Sequence, residues 1–137
     1  MDTAGETGED NGRTPVLLVH GFASNMATNW VSTSWVDTLK RAGYRVIAFD
    51  NRGHGMSGKL YDQADYGAPV MAEDARRLLD HLSIPQAHVM GFSMGARISA
   101  FLTLAHPARV RSVVFGGLGI NMIRGLAGTG PIARALE

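Results

Sequence analysis

The 137-residue sequence contains no cysteine. Disulfide bonds, a thiolate nucleophile and cysteine-ligated metal sites are therefore excluded. An excess of charge of one sign is also absent, because 13 basic residues are balanced by 12 acidic residues and no run of lysine or arginine occurs. A nearly neutral chain without a basic patch does not indicate a nucleic-acid partner.

Long apolar runs are missing as well. No stretch approaches the roughly 18 consecutive apolar residues of a membrane-spanning helix, so we expect no membrane partner. Four carboxylates precede the first basic residue, Arg13, and no apolar segment typical of a secretory signal accompanies them. We therefore expect a cytoplasmic protein, and this length leaves room for one domain.

The sequence does contain apolar runs that alternate with helical patterns. Short apolar runs predict four strands, at 16–19, 44–49, 87–90 and 110–115. Apolar residues at helical spacing predict three helices between them, at 29–42, 69–82 and 94–105. Strands alternating with helices are typical of an α/β fold, so we predict a parallel sheet of about four strands flanked by helices.

These patterns divide the chain into three parts. Residues 1–14 are polar and glycine-rich without a regular period, and we interpret them as a flexible lead-in. Residues 15–116 carry the predicted sheet. Residues 117–137 are rich in glycine and apolar residues and reach Pro131 at the start of a helical pattern, so we interpret them as the start of a lid or cap segment, truncated at its end.

The segment Gly91-Phe92-Ser93-Met94-Gly95 has the G-x-S-x-G pattern and lies between a predicted strand and a predicted helix. In that context a sharp strand-to-helix turn presents the serine hydroxyl as a nucleophile. Such a turn is crowded, which explains the glycine at both ends of the motif. The pattern alone is also compatible with an ordinary glycine-rich turn, so other parts of the chain must decide.

Two other predicted strands end at polar residues, the first at His20 and the second at Asp50. Ligands of parallel α/β sheets bind beyond the carboxyl ends of the strands, so we expect His20, Asp50 and Ser93 on the same rim. In the turn formed by His20, Gly21 and Phe22, the glycine permits a close approach, and a backbone N–H can point at a developing oxyanion. Taken alone, His20 is more often an ordinary hydrogen-bonded histidine at the end of a strand, and the functional interpretation depends on its pairing with the G-x-S-x-G segment.

Three segments in this order, VLLVHGF at 16–22, DNRGHGMS at 50–57 and GFSMG at 91–95, resemble the α/β-hydrolase superfamily. The resemblance covers residues 13–116 and implies a partial α/β-hydrolase fold whose strands lie in the order second, first, third, fourth. It implies hydrolysis of an ester-like or otherwise carbonyl-activated small molecule without a cofactor.

The resemblance also assigns roles to particular residues. It implies that Ser93 is the nucleophile and that the backbone N–H groups of Phe22 and Met94 form the oxyanion hole. The residues that would shape the site are His20, Gly21, Gly91 and Gly95, together with the loop at 50–57. Serine at this position argues against dehalogenases and epoxide hydrolases, which use aspartate there. Carboxylesterases, lactonases, carbon–carbon hydrolases and cofactor-free perhydrolases stay open.

Members of this fold carry an acid and then a histidine after the nucleophile. After Ser93 the sequence contains one histidine, His106, and one carboxylate, Glu137, in the reverse order. A helix over 94–106 would place His106 roughly 20 Å from Ser93, beyond hydrogen-bond reach. We therefore interpret the chain as the N-terminal half of such a hydrolase, inactive by itself.

Nucleotide and metal sites are weaker interpretations. Glycines at 53, 55 and 58 with Lys59 approximate two phosphate-binding patterns, but both patterns need a helix to begin at once, and the next predicted helix begins only at Pro69. The five histidines show none of the spacings of metal-ligand pairs, so we predict no metal.

Two further hypotheses stay open. In one, the chain is a non-catalytic module that binds partners or itself, because the predicted edge strands lack the neighbours of a complete sheet. In the other, an unusual base, His20 or His54, acts on Ser93 together with Asp50.

Overall fold

A computed structural model of the chain describes residues 1–3, 13–22, 24–54 and 67–117. The elements are β1 (Val16–Val19), a π-helical segment (Ala27–Val31), α1 (Trp35–Arg41), β2 (Val46–Phe49), α2 (Ala68–His81), β3 (Ala87–Phe92), α3 (Met94–Ala105), a 3-10 turn (Pro107–Arg109) and β4 (Val110–Gly116). The predicted lid segment lies outside the described residues beyond Gly117. In the part of the chain that is described, no helix is both long and apolar enough to cross a membrane.

The four strands form one parallel sheet in the order β2-β1-β3-β4. All four residues of β1 are buried, as expected for a continuous apolar run between two neighbouring strands. The predicted α/β class and the predicted strand order are therefore confirmed. Parallel pairing brings the carboxyl ends of β1, β2 and β3 to one edge of the sheet.

Helices cover both faces of the sheet. Successive residues of β1 point to opposite faces, so Leu17 packs with α2 and α3, whereas Leu18 packs with Trp30 and Val36 on the other face. Because β1 is buried on both faces and lies next to β3, the ends of these two strands have a fixed position relative to α3.

The single helix predicted over 29–42 is wrong. The chain forms the π-helical segment and then α1, separated at residues 32–34, where Ser34 adopts a left-handed φ of 68°. A left-handed residue cannot continue a right-handed helix. The predicted buried stripe also fails, because Val31 and Trp35 are exposed and the neighbouring Trp30 and Val36 are buried instead.

Other element boundaries differ by one or two residues. β2 begins at Val46 rather than Tyr44, and α2 begins at Ala68, one residue before Pro69. β3 continues two residues beyond Met90, and β4 ends at Gly116.

Residues 1–3 lie antiparallel to β2, on the side away from β1. The N–H of Thr3 donates to the carbonyl of Val46 at 3.1 Å, and the N–H of Ala48 donates to the carbonyl of Met1 at 3.0 Å. Asp2 accepts two hydrogen bonds, at 2.9 and 2.6 Å, from the guanidinium of Arg45. These residues therefore cover part of an edge that we expected to be bare.

Candidate active site

Ser93 lies at the junction of β3 and α3 in a strained backbone conformation. Its φ of 56° and ψ of −114° lie in a region that residues with a side chain rarely adopt. A conformation of this kind costs about 1–3 kcal/mol and persists only where the surroundings enforce it. The Ser93 N–H donates to the carbonyl of Gly116 at 2.8 Å, which attaches the turn to the end of β4.

The two glycines of the motif allow the turn to pack closely. A Cβ on Gly91 would lie 2.3 Å from the carbonyl oxygen of Gly95, and a Cβ on Gly95 would lie 2.0 Å from the carbonyl oxygen of Val19. Both distances are far below a van der Waals contact, so only glycine fits at either position. The first turn of α3 can therefore press directly against the end of β1.

The turn after β1 lies beside Ser93. A Cβ on Gly21 would be 3.2 Å from the carbonyl oxygen of Phe92 and 3.5 Å from the Cβ of Ser93. The Gly21 N–H donates to Oδ1 of Asn29 at 2.7 Å, which fixes the start of this turn. The structure thus brings the two predicted parts of the site, the turn after β1 and the turn after β3, into contact.

Two backbone N–H groups of these turns are available to a ligand. Within the described residues, neither the N–H of Phe22 nor that of Met94 donates a hydrogen bond to another residue. Met94 opens α3, a 12-residue helix whose N-terminal N–H groups and dipole favour negative charge. These are the two N–H groups that the resemblance implies as oxyanion donors.

His20 is fully buried, and both of its ring nitrogens are occupied. The Asn51 N–H donates to Nε2 at 2.8 Å, so Nε2 carries no proton, and Nδ1–H donates to the carbonyl of Gly21 at 2.8 Å. Burial lowers the pKa of His20, which favours this neutral ring. His20 thus holds the turn together and has no free nitrogen to act as a base.

His54 and Asp50 lie near the same turn. The His54 ring centroid is 5.3 Å from that of His20 and 6.2 Å from that of Phe22. Its Nδ1 donates to the carbonyl of Arg52 at 2.9 Å, and Asp50 accepts a hydrogen bond from the Met26 N–H at 2.9 Å. Among the described residues, no imidazole is hydrogen-bonded to the Ser93 hydroxyl.

The remaining imidazoles are used elsewhere or lie at helix ends. His106 follows α3 and pairs with Glu73 of α2 at 2.6 Å, and His81 ends α2. His88 contacts the hydroxyl of Ser112 across β3 and β4 at 2.6 Å. No cluster of His, Asp or Glu suited to a metal ion occurs in the described ranges.

Two phenylalanine side chains beside Ser93 in the structure are exposed. The side chains of Phe22 and Phe92, which flank the two turns, are 49% and 48% exposed. The sequence patterns did not single out Asn29, since its partner is distant in sequence and asparagine in a loop carries no signal of such a contact. Asn51 lies in the loop that was expected to shape the site, but its contacts with His20 were not predicted.

Comparison with known proteins gives a consistent result. A family model for the alpha/beta hydrolase fold matches residues 14–122. The chain is 39% identical over 111 residues to the dihydrolipoyllysine-residue acetyltransferase component of the acetoin cleaving system of Pseudomonas putida, covering 79% of this chain and 28% of that protein. It is 36% identical over 108 residues to a 2-hydroxy-6-oxononadienedioate/2-hydroxy-6-oxononatrienedioate hydrolase of Escherichia coli, covering 76% and 36%.

Solved structures agree with the sequence comparison. Epoxide hydrolase A of Mycobacterium thermoresistibile matches with a TM-score of 0.71 and 31% identity, covering 77% of this chain and 32% of that one. The chain spans between 28% and 36% of the length of the first curated relatives that it matches. The names of these relatives denote different reactions, so the likeness identifies a family rather than a substrate. This protein belongs to the α/β-hydrolase fold family.

Proposed function

We propose that this protein is a hydrolase in which Ser93 attacks an ester-like or otherwise carbonyl-activated small molecule. The strained turn at Ser93, packed against the end of β1 through Gly95, is the observation that carries the proposal. Hydrolases among the relatives of the chain support the reaction class. Serine rather than aspartate at this position favours carbonyl chemistry over epoxide opening.

The reaction has two steps on this site. The Ser93 oxygen bonds to the carbonyl carbon as its proton passes to a base, and negative charge develops on the carbonyl oxygen. The N–H groups of Phe22 and Met94 stabilise that charge where it forms. The bond to the leaving group then breaks, the leaving group takes up a proton, and water hydrolyses the resulting ester of Ser93.

A general base is the component that the described residues do not supply. His20 has both ring nitrogens occupied, and His106 is paired with Glu73 at the other end of α3. We therefore propose that the 137 residues form the nucleophile and the oxyanion donors, and that efficient turnover requires a base from another segment or chain. By themselves they are expected to react slowly.

A non-catalytic binding role is the second candidate. On β4, Val114 is 55% exposed and Phe115 is 42% exposed, and the outer edge of this strand has no strand partner among the described residues. Such an edge favours pairing with another chain.

The catalytic proposal is tested through the oxyanion donor at Phe22. A fluorophosphonate bonds to a serine oxygen with loss of fluoride, and its rate depends on stabilisation of the negative oxygen on phosphorus. Phe22→Pro removes the N–H, whereas Phe22→Ala keeps it. We expect the proline variant to label about 10²-fold more slowly than the alanine variant, the usual effect of losing one donor.

Ser93→Ala gives the background rate, and amide NMR spectra check that each variant is folded. Equal rates in the proline and alanine variants would contradict the assignment of the Phe22 N–H.

A further inference from the structure

A set of polar contacts lies directly behind the proposed oxyanion donor. The carbonyl of Gly21 and the N–H of Phe22 belong to one planar peptide unit and point in opposite directions. Nδ1–H of His20 donates to that carbonyl at 2.8 Å. The His20 ring therefore fixes the direction in which the Phe22 N–H points.

The ring is itself held by the loop that follows β2. The backbone N–H of Asn51 donates to Nε2 of His20 at 2.8 Å, and the Asn51 side-chain amide donates to the carbonyl of His20 at 3.3 Å. Asn51 is only 1% exposed. Because a neutral imidazole has one donor and one acceptor nitrogen, the Asn51 N–H selects the tautomer that can donate to Gly21.

An ion pair ties this loop to α2. Nε and Nη2 of Arg52 donate to the two carboxylate oxygens of Asp74 at 2.5 and 2.6 Å. A bidentate pair of this kind fixes orientation as well as distance. Within the loop, the His54 N–H donates to the carbonyl of Asn51 at 2.9 Å, and Nδ1 of His54 donates to the carbonyl of Arg52 at 2.9 Å.

We propose that Asp74 and Arg52 are positioning residues for the oxyanion donor. Their ion pair holds the backbone at Asn51, that backbone holds the His20 ring, and the ring holds the Gly21–Phe22 peptide. This inference rests on the proposed function, in which the Phe22 N–H binds the oxyanion. It assigns a role at the site to a helix residue that lies 19 positions before the nucleophile in the sequence.

NMR of the 137-residue chain tests the proposal without requiring turnover. In Asp74→Asn we expect amide hydrogen exchange of Asn51 to become about tenfold faster, the effect of weakening one hydrogen bond. We also expect the residual dipolar coupling of the Phe22 N–H to change while that of Met94 stays the same. The matched control is Asp80→Asn on the same helix, which weakens the ion pairs of Asp80 with Arg76 and Arg109 and is expected to change neither signal.

Two conservative variants separate geometry from charge. Asp74→Glu can keep a bidentate contact and is expected to retain the wild-type exchange and coupling. Arg52→Lys keeps the charge but loses the fork, so it is expected to behave like Asp74→Asn. If Asp74→Asn does not fold, the same two NMR signals are measured in Arg52→Lys instead.

Unchanged Asn51 exchange and Phe22 coupling in Asp74→Asn or Arg52→Lys would overturn the proposal. These signals report the positions of N–H groups whether or not Ser93 reacts. A failed positioning role therefore appears in the NMR spectra alone, and a failed nucleophile assignment appears in fluorophosphonate labelling alone.

Discussion

At Ser93 the backbone is held in a conformation that the residue would not adopt by itself. Gly91 and Gly95 remove the side chains that would push α3 away from β1, and the Ser93 N–H is fixed to Gly116. The strain is therefore balanced by close packing on both sides of the turn. We therefore expect a side chain at either glycine to displace the backbone of this turn.

Gly95→Ala is expected to destabilise the chain by at least about 3 kcal/mol, the upper range for overpacking, because its Cβ would lie 2.0 Å from backbone of β1. Gly67→Ala is the control: its Cβ would meet nothing closer than 3.8 Å, and the expected cost is below about 1 kcal/mol. Urea denaturation measures both. Similar stabilities for the two variants would contradict the packing described at the turn.

The sequence could indicate Ser93, Phe22 and Met94 as candidate site residues, because the resemblance that implies their roles rests on a local motif at each turn. It could not indicate the hydrogen bonds of Asn29 with Gly21 and of Asn51 with His20, which form only when separate parts of the chain meet. The role of His20 also needed the structure, because the sequence does not show whether the ring nitrogens of a histidine at a strand end are hydrogen-bonded.

Among the elements, α2 and α3 are joined at one end by Glu73 and His106, whose Oε1 and Nε2 atoms are 2.6 Å apart. Hydrogen bonds from His106 and from Arg76 lower the pKa of Glu73 to about 2. As the pH falls below about 4.5, the unfolded chain binds a proton at this position and the folded chain does not. The contribution to stability is therefore complete above pH 4.5 and is lost as the pH falls towards 2.

Glu73→Gln is expected to reduce the loss of stability between pH 5 and pH 2.5, measured by urea denaturation. Asp37→Asn is the control, because Asp37 of α1 forms no ion pair with a described residue, and it should retain the wild-type pH dependence. A wild-type pH dependence in Glu73→Gln would contradict the role of the contact with His106.

The patterns of the sequence predicted the type and order of the elements but not every interruption. Apolar spacing predicted one helix over 29–42, but the left-handed Ser34 divides this segment in two. As a result, Trp30 and Val36 are buried instead of Val31 and Trp35. The spacing of apolar residues indicates which face of a segment is buried on average, and it contains no information about a single dihedral angle. The π-helical segment nevertheless reaches the candidate site, because Asn29 within it accepts the hydrogen bond from the Gly21 N–H.

For the whole molecule, the two outer strands of the sheet differ. Residues 1–3 cover part of β2, whereas Val114 and Phe115 of β4 are exposed. We expect the purified chain to self-associate through β4, and we expect Val114→Lys to shift it towards the monomer, since an edge lysine opposes strand pairing. Val70→Lys, on α2, is the control for added charge. Sedimentation velocity measures the association state. A wild-type chain that sediments as a monomer at all concentrations would contradict this expectation.

The most direct test of the central claim is to identify which serine a fluorophosphonate modifies. Ser93 has the strained turn and the two proposed N–H donors, but no imidazole of the described residues is hydrogen-bonded to it, whereas Ser112 lies 2.6 Å from the imidazole of His88 and has no such donors. Mass-spectrometric mapping of the labelled chain, beside Ser93→Ala and Ser112→Ala, compares them. We predict slow modification of Ser93 that is abolished only by Ser93→Ala and that accelerates steadily with pH. Modification of Ser112 with Ser93 left unmodified would contradict the account.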